Sequence, residues 1–168
     1  MKKRLLSFLF VSFLFALGCS KDDPLPIEKQ TKLLAGVGGQ SKTWLLVGGS
    51  IVDNQGTLDL STLIACFLDN EYIFSNTAAQ AYSCTEGATK CDPADPQNIE
   101  SGTWFLSIDG KSFSITVDLV GSPNSSLFSY FPFTADVQTL TDTDMTLYME
   151  GDFGGSLVKV TLNFIKKV

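Results

Sequence analysis

The chain has no histidine, and its one arginine, Arg4, stands among the first few of its 168 residues. Without histidine there is no Ser-His-Asp or Cys-His relay to activate a nucleophile, and no imidazole to ligate zinc. Without arginine the rest of the chain lacks the planar fork that clamps a carboxylate or phosphate in bidentate fashion. Cysteine is sparse. Cys19, Cys66, Cys84 and Cys91 include no tight Cys-x-x-Cys pair, so zinc is not expected. The acidic turns Asp142-Thr143-Asp144 and Gly151-Asp152-Phe153-Gly154-Gly155 lack the spaced oxygen ligands of a calcium loop. No two carboxylates stand in the contrasting surroundings that mark an acid and a base. The expectation is a protein that is not an enzyme and holds no metal or cofactor.

Long apolar runs are also missing. The longest, Leu5–Leu17, is interrupted only by Ser7 and Ser12, and it falls short of the roughly 20 residues that span a bilayer as a helix. It follows Lys2, Lys3 and Arg4, the layout of a cleaved secretory signal. Ala16-Leu17-Gly18-Cys19 then resembles the bacterial lipobox, in which cleavage precedes a diacylated cysteine. The resemblance implies that Cys19 becomes the lipidated first residue of the mature chain. Two or three acyl chains would anchor it durably, each buried CH₂ contributing about 0.8 kcal/mol. Ser20, Lys21, Asp22 and Asp23 resemble the signal that places lipoproteins on the outer face of the outer membrane. Pro24 and Pro26 stiffen the tether that follows. The expected organisation is a leader over 1–18, a lipidated tether and the start of a short helix over 19–32, and one domain over 33–168.

Removing the leader leaves nine lysines against eighteen acidic residues, a net charge of −9. Such a surface repels nucleic acid, whose binding rests on phosphate neutralisation. It also argues against a peripheral hold on anionic lipid, so attachment is expected through the acyl chains alone.

Ile27 to Ala35 reads as one short helix between Pro26 and the glycines Gly36, Gly38 and Gly39, laid over one end of the domain. The period then changes to that of strands. Thr43 to Val47 is a first strand, closed by Gly48-Gly49. Asn54-Gln55-Gly56 marks a turn in the less regular stretch Ile51 to Ala65. Glu71 to Ser75 and Ala79 to Cys84 form a pair of strands, and 85–98 is a loop. Asp109-Gly110 reads as a two-residue hairpin turn with positive φ, which sets Leu106 opposite Phe113 and Trp104 opposite Ile115. Val117 and Leu119 continue that apolar face. Thr134 to Leu140 is a strand; Met145, Leu147 and Met149 share one face of the next. Val158, Val160, Leu162 and Phe164 share one face of the last, after a turn over Gly151 to Gly155. About eight strands with short connections and one apolar face each close naturally into an all-β, up-and-down antiparallel barrel, with a two-sheet sandwich as the second option.

Several segments carry a wider resemblance. They are Leu33-Leu34, the run from Gly39 to Trp44, the run from Cys66 to Phe74, the run from Glu86 to Pro93, and Gly102-Thr103-Trp104. In this order and spacing they resemble the lipocalin-like domain of bacterial surface lipoproteins, over roughly 33–168. The resemblance implies an eight-stranded barrel on a lipid anchor. It also implies a disulfide between Cys66 and Cys91, whose closed loop would contribute on the order of 3 kcal/mol, with Cys84 left free. Read from the residues alone, Cys84 could equally bond Cys66 or Cys91.

Trp44, Tyr72, Phe74, Trp104, Leu106, Phe113, Ile115, Met149 and Phe164 are expected to point inward, lining a ligand cavity or filling a core. Phe128, Tyr130, Phe131 and Phe133 form an aromatic cluster that could serve as a lid or rim at the barrel mouth, as a partner patch, or as an edge strand. The first candidate partner is a small hydrophobic molecule bound by Trp44, Tyr72, Phe74, Trp104, Phe113, Phe128, Tyr130 and Phe131, by analogy of fold with lipocalins. The second reading is a monomeric accessory protein with a filled barrel that meets an envelope protein or a glycan through its loops.

Overall fold

The computed structural model describes residues 25–63, 65–121, 126, 128, 134–153 and 155–168. Among these residues the chain forms helices α1 (Pro26–Ala35) and α2 (Leu60–Leu63) and nine strands. The strands are β1 (Ser41–Asp53), β2 (Gly56–Asp59), β3 (Glu71–Ser75), β4 (Ala81–Thr85) and β5 (Asn98–Leu106), then β6 (Ser112–Leu119), β7 (Thr134–Leu140), β8 (Asp144–Phe153) and β9 (Ser156–Lys166). Every pairing is antiparallel, in the order β1-β3-β4-β5-β6-β7-β8-β9, and β9 returns to β1 from Lys166↔Trp44 to Lys159↔Val52. Eight strands thus close an up-and-down barrel. The ninth, β2, is a hairpin extension of β1 beyond it.

The first strand is longer than the sequence leads one to expect. Gly48-Gly49 does not close it; the strand passes through both glycines at φ +152° and +154°. The register against β9 shifts between Leu46 and Gly48, which leaves Val47 as a bulge. A Cβ on Gly49 would lie 2.0 Å from the Thr161 carbonyl oxygen. The glycine pair therefore lets β9 approach closely while β1 bends, as bulges do where sheets curve.

The β5–β6 register matches the alternation, with Leu106↔Phe113 and Trp104↔Ile115. The turn itself differs from expectation. Gly110 has φ +69° but Asp109 does not have positive φ, Gly110 N donates to Ser107 O at 2.8 Å, and Ser107 N donates to Ser112 O at 2.8 Å. The connection is a four-residue loop, 108–111, centred on the same Asp109-Gly110 bond. Moving the closing pair outward symmetrically leaves the register unchanged. Smaller departures lie at strand ends. The partner of β3 spans Ala81–Thr85, β8 continues through Phe153 into the expected turn, and Leu119 is exposed.

Alternation sorts the side chains. Met145, Leu147 and Met149 on β8, and Val160, Leu162 and Phe164 on β9, are buried. All nine residues expected to face inward are buried as well. The helix α1 crosses one barrel end, packing on β1, β3, β5 and β7 and burying Leu34 and Ala35. Its C-terminal carbonyls would otherwise lack partners. Trp44 Nε1 donates to Leu34 O (2.8 Å), Lys42 Nζ to Leu33 O (2.8 Å), and Asn76 Nδ2 to Gly36 O (2.7 Å). At the opposite end, Cys66 and Cys91 form a disulfide across 25 residues of sequence with Cα atoms 5.2 Å apart, and Cys84 is a buried free thiol.

Candidate functional site

Three consecutive strands set a polar row inside the barrel wall. Tyr72 on β3 pairs with Cys84 on β4, and Cys84 pairs with Glu100 on β5. All three are inaccessible to solvent. Along β5, Glu100, Gly102, Trp104 and Leu106 share the inward face by period two. Tyr82, on the same face of β4 as Cys84, reaches diagonally to donate a short hydrogen bond from its hydroxyl to Glu100 Oε2. Glu100 also accepts from the Ser126 side chain and the Phe128 backbone, so residues between β6 and β7 reach in to cover it.

Burial governs the electrostatics. It raises the Glu100 carboxyl above its ordinary value, opposed by the donors Ser126, Tyr82 and the Phe128 backbone. It pushes the Cys84 thiol well up, with the Glu100 charge adding to the effect. It raises the Tyr72 and Tyr82 hydroxyls as well, burial first, with the neighbouring Glu100 charge adding to the effect. A thiol that resists ionisation is a poor nucleophile and a poor metal ligand. The row can hold a proton on Glu100 and hydrogen-bond a polar group, but it supplies no activated nucleophile.

Aromatic rings surround the row. Phe128 meets Tyr72 and Tyr82 edge-on, with centroids 5.7 and 6.0 Å apart. Phe74 stacks on Tyr82 at 5.3 Å and meets Phe113 edge-on at 5.5 Å, and Tyr72 meets Phe164 at 5.3 Å. Of the binding residues expected from the sequence, Tyr72, Phe74, Phe113 and Phe128 come together here. Trp44 and Trp104 are spent on structure, their indole N–H groups donating to Leu34 O and to Ser75 O (3.1 Å). Tyr130 and Phe131 lie outside the described residues, as do Phe133, Cys19, Ser20, Lys21, Asp22 and Asp23.

Tyr82, Cys84 and Glu100 were not singled out from the sequence as site residues. The usable signal was Glu100 itself, a charge in phase with Trp104 and Leu106 on an apolar face. Beside the row, the loop after β4 is stitched down by polar contacts. Cys91 N donates to Glu86 Oε1 (3.1 Å), Thr89 N to Asp69 Oδ2 (2.8 Å), and Gly87 N to Asn70 Oδ1 (3.4 Å). Among the described residues no group of three His, Cys, Asp or Glu side chains is placed to hold a metal ion.

The geometry defines an eight-stranded antiparallel barrel with a short N-terminal helix, a lipocalin-like architecture. No protein-family model and no curated protein matches the chain.

Proposed function

We propose that the chain is a lipid-anchored, non-catalytic barrel displayed on the outer face of the outer membrane, where it serves as an accessory protein that meets an envelope protein or a glycan through its loops. The observation that supports this best is the barrel interior. Trp44, Trp104, Tyr72, Phe74 and Tyr82 are each at most 2% exposed, and rings from four strands, β3, β4, β6 and β9, touch one another. Eight strands enclose a space that side chains of this size can fill. The anchor rests on Cys19 and the run Ser20 to Asp23, and the absence of histidine supports a non-catalytic role.

A second reading, a small hydrophobic ligand with a polar head, draws on the Tyr72–Cys84–Glu100 row beside Phe128. One experiment tests both. Native mass spectrometry of the membrane-extracted protein is expected to show a chain beginning at Cys19 with its acyl chains and no further adduct. A recurring small-molecule adduct would favour the second reading, and an unmodified Cys19 would overturn the anchor.

A further inference from the structure

The lysines are distributed unevenly over the surface. Lys29 and Lys32 on α1, Lys42 on β1 and Lys166 on β9 line one groove of about 470 Å³, together with Leu33, Val37 and a single carboxylate, Asp142. Four of the nine lysines that follow the leader thus share a groove that has one carboxylate among its described lining residues. Asp142 is already committed. It bonds Lys42 Nζ at 2.6 Å and lies 4.0 Å from Lys166 Nζ. The Lys42 hydrogen bond, and then its charge, hold the Asp142 carboxyl below the ordinary range. Lys29 and Lys32 are exposed, lie three residues apart on one helix face, and enter no salt bridge among the described residues. The groove therefore carries uncompensated positive charge on a protein that is strongly acidic overall.

Its position selects an occupant. The helix α1 begins at Pro26, seven residues after Cys19. Seven extended residues reach at most about 25 Å, so an acylated Cys19 keeps this end of the barrel within one short tether of the bilayer. Ammonium groups on flexible stems suit phosphate as point charges.

We infer that the groove between α1 and the β7–β8 turn binds phosphate groups of the membrane's own lipid headgroups and orients the barrel on its anchor, an inference that rests on the lipid anchor proposed above. A lysine near an anionic surface is worth about 1 kcal/mol, or roughly fivefold in binding. The α1 end then faces the membrane, and the disulfide end, with its buried acids, faces outward.

The test uses the chain from residue 19 carrying Cys19→Ser, which has no acyl chains, in co-sedimentation with vesicles. Phosphatidylcholine vesicles are compared with vesicles that also contain phosphatidylglycerol. The expected result is binding to the anionic vesicles alone, lost at high salt. The double variant Lys29→Glu/Lys32→Glu, checked for its fold by circular dichroism, binds at least about 25-fold more weakly. The change Lys159→Glu, made outside the groove, has less than about a twofold effect. No vesicle binding by the parent protein would overturn the inference. So would equal loss with Lys159→Glu, displacement by inorganic phosphate at concentrations matching the lipid phosphate, or stronger capture of a soluble acidic polysaccharide than of vesicles. Because the acyl chains are absent from this assay, its failure is separate from failure of the anchor, which is read from the mass of Cys19.

Discussion

The two ends of the barrel are built on opposite principles. At the α1 end the chain is held by a helix whose last carbonyls receive donors from Trp44, Lys42 and Asn76, with cationic side chains around it. At the other end loops are held by a covalent bridge and by buried polar groups, Asn70, Glu86, Asp95 and Glu100 among them. One end is organised by satisfied backbone groups and the other by cross-linking and desolvated acids. The first arrangement tolerates solvent and charge close by; the second depends on excluding water and on the redox state of two cysteines.

Each end can be broken separately, and the largest effect is expected at the cross-linked one. Replacing Cys66 and Cys91 by Ser should cost about 3 kcal/mol in the chain-entropy model, lowering Tm by roughly 6–12 °C for a domain of this size. Calorimetry checks the value, and an unchanged Tm would show that the polar stitching alone holds that end. At the α1 end, Trp44→Phe should keep the packing but leave the buried Leu34 carbonyl unpaired, a loss of about 1–3 kcal/mol. Hydrogen exchange should show α1 opening while the β3–β4–β5 wall stays protected; uniform loss of protection would mean that the ends are coupled.

The smallest effect is a slope. Burial raises Glu100 above its ordinary value of 4.5, so the folded state binds more protons than the unfolded chain across that window. The contribution of Glu100 to stability is then fully present below the unfolded value and is lost as pH rises through the folded one. Urea unfolding across this range should show the decline, and Glu100→Gln should flatten it. A variant with the parent's slope would place the responsible group elsewhere.

Local pattern reached some of this and missed the rest for physical reasons. The β5–β6 register was legible because a one-residue slip would turn Trp104, Leu106, Phe113 and Ile115 to solvent. The continuation of β1 was not, because Gly48-Gly49 has the composition of a turn, and only the approach of Thr161 from β9 shows its use in a bulge. The disulfide came from a resemblance and not from the residues, since three cysteines in one stretch admit three pairings. The lysine groove was hidden by summation. Net charge adds over the chain, whereas Lys29 and Lys32 on α1, Lys42 on β1 and the distant Lys166 on β9 meet only when β9 closes on β1 and α1 lies across the mouth. Glu100 was masked by its polar neighbours Ser101 and Gly102, and the depth of its burial comes from Ser126 and Phe128 folding in.

The bonds from Lys42 and Trp44 to the last turn of α1 also set a mechanical path. A pull on the segment before Pro26 travels along α1 and enters the barrel through β1, the strand zipped to β3 on one side and to β9 on the other. Load arriving there is shared by two ladders in shear and does not peel a single edge strand open. A barrel tugged by its N-terminal segment should therefore yield first at the helix, with the closed sheet surviving to higher force.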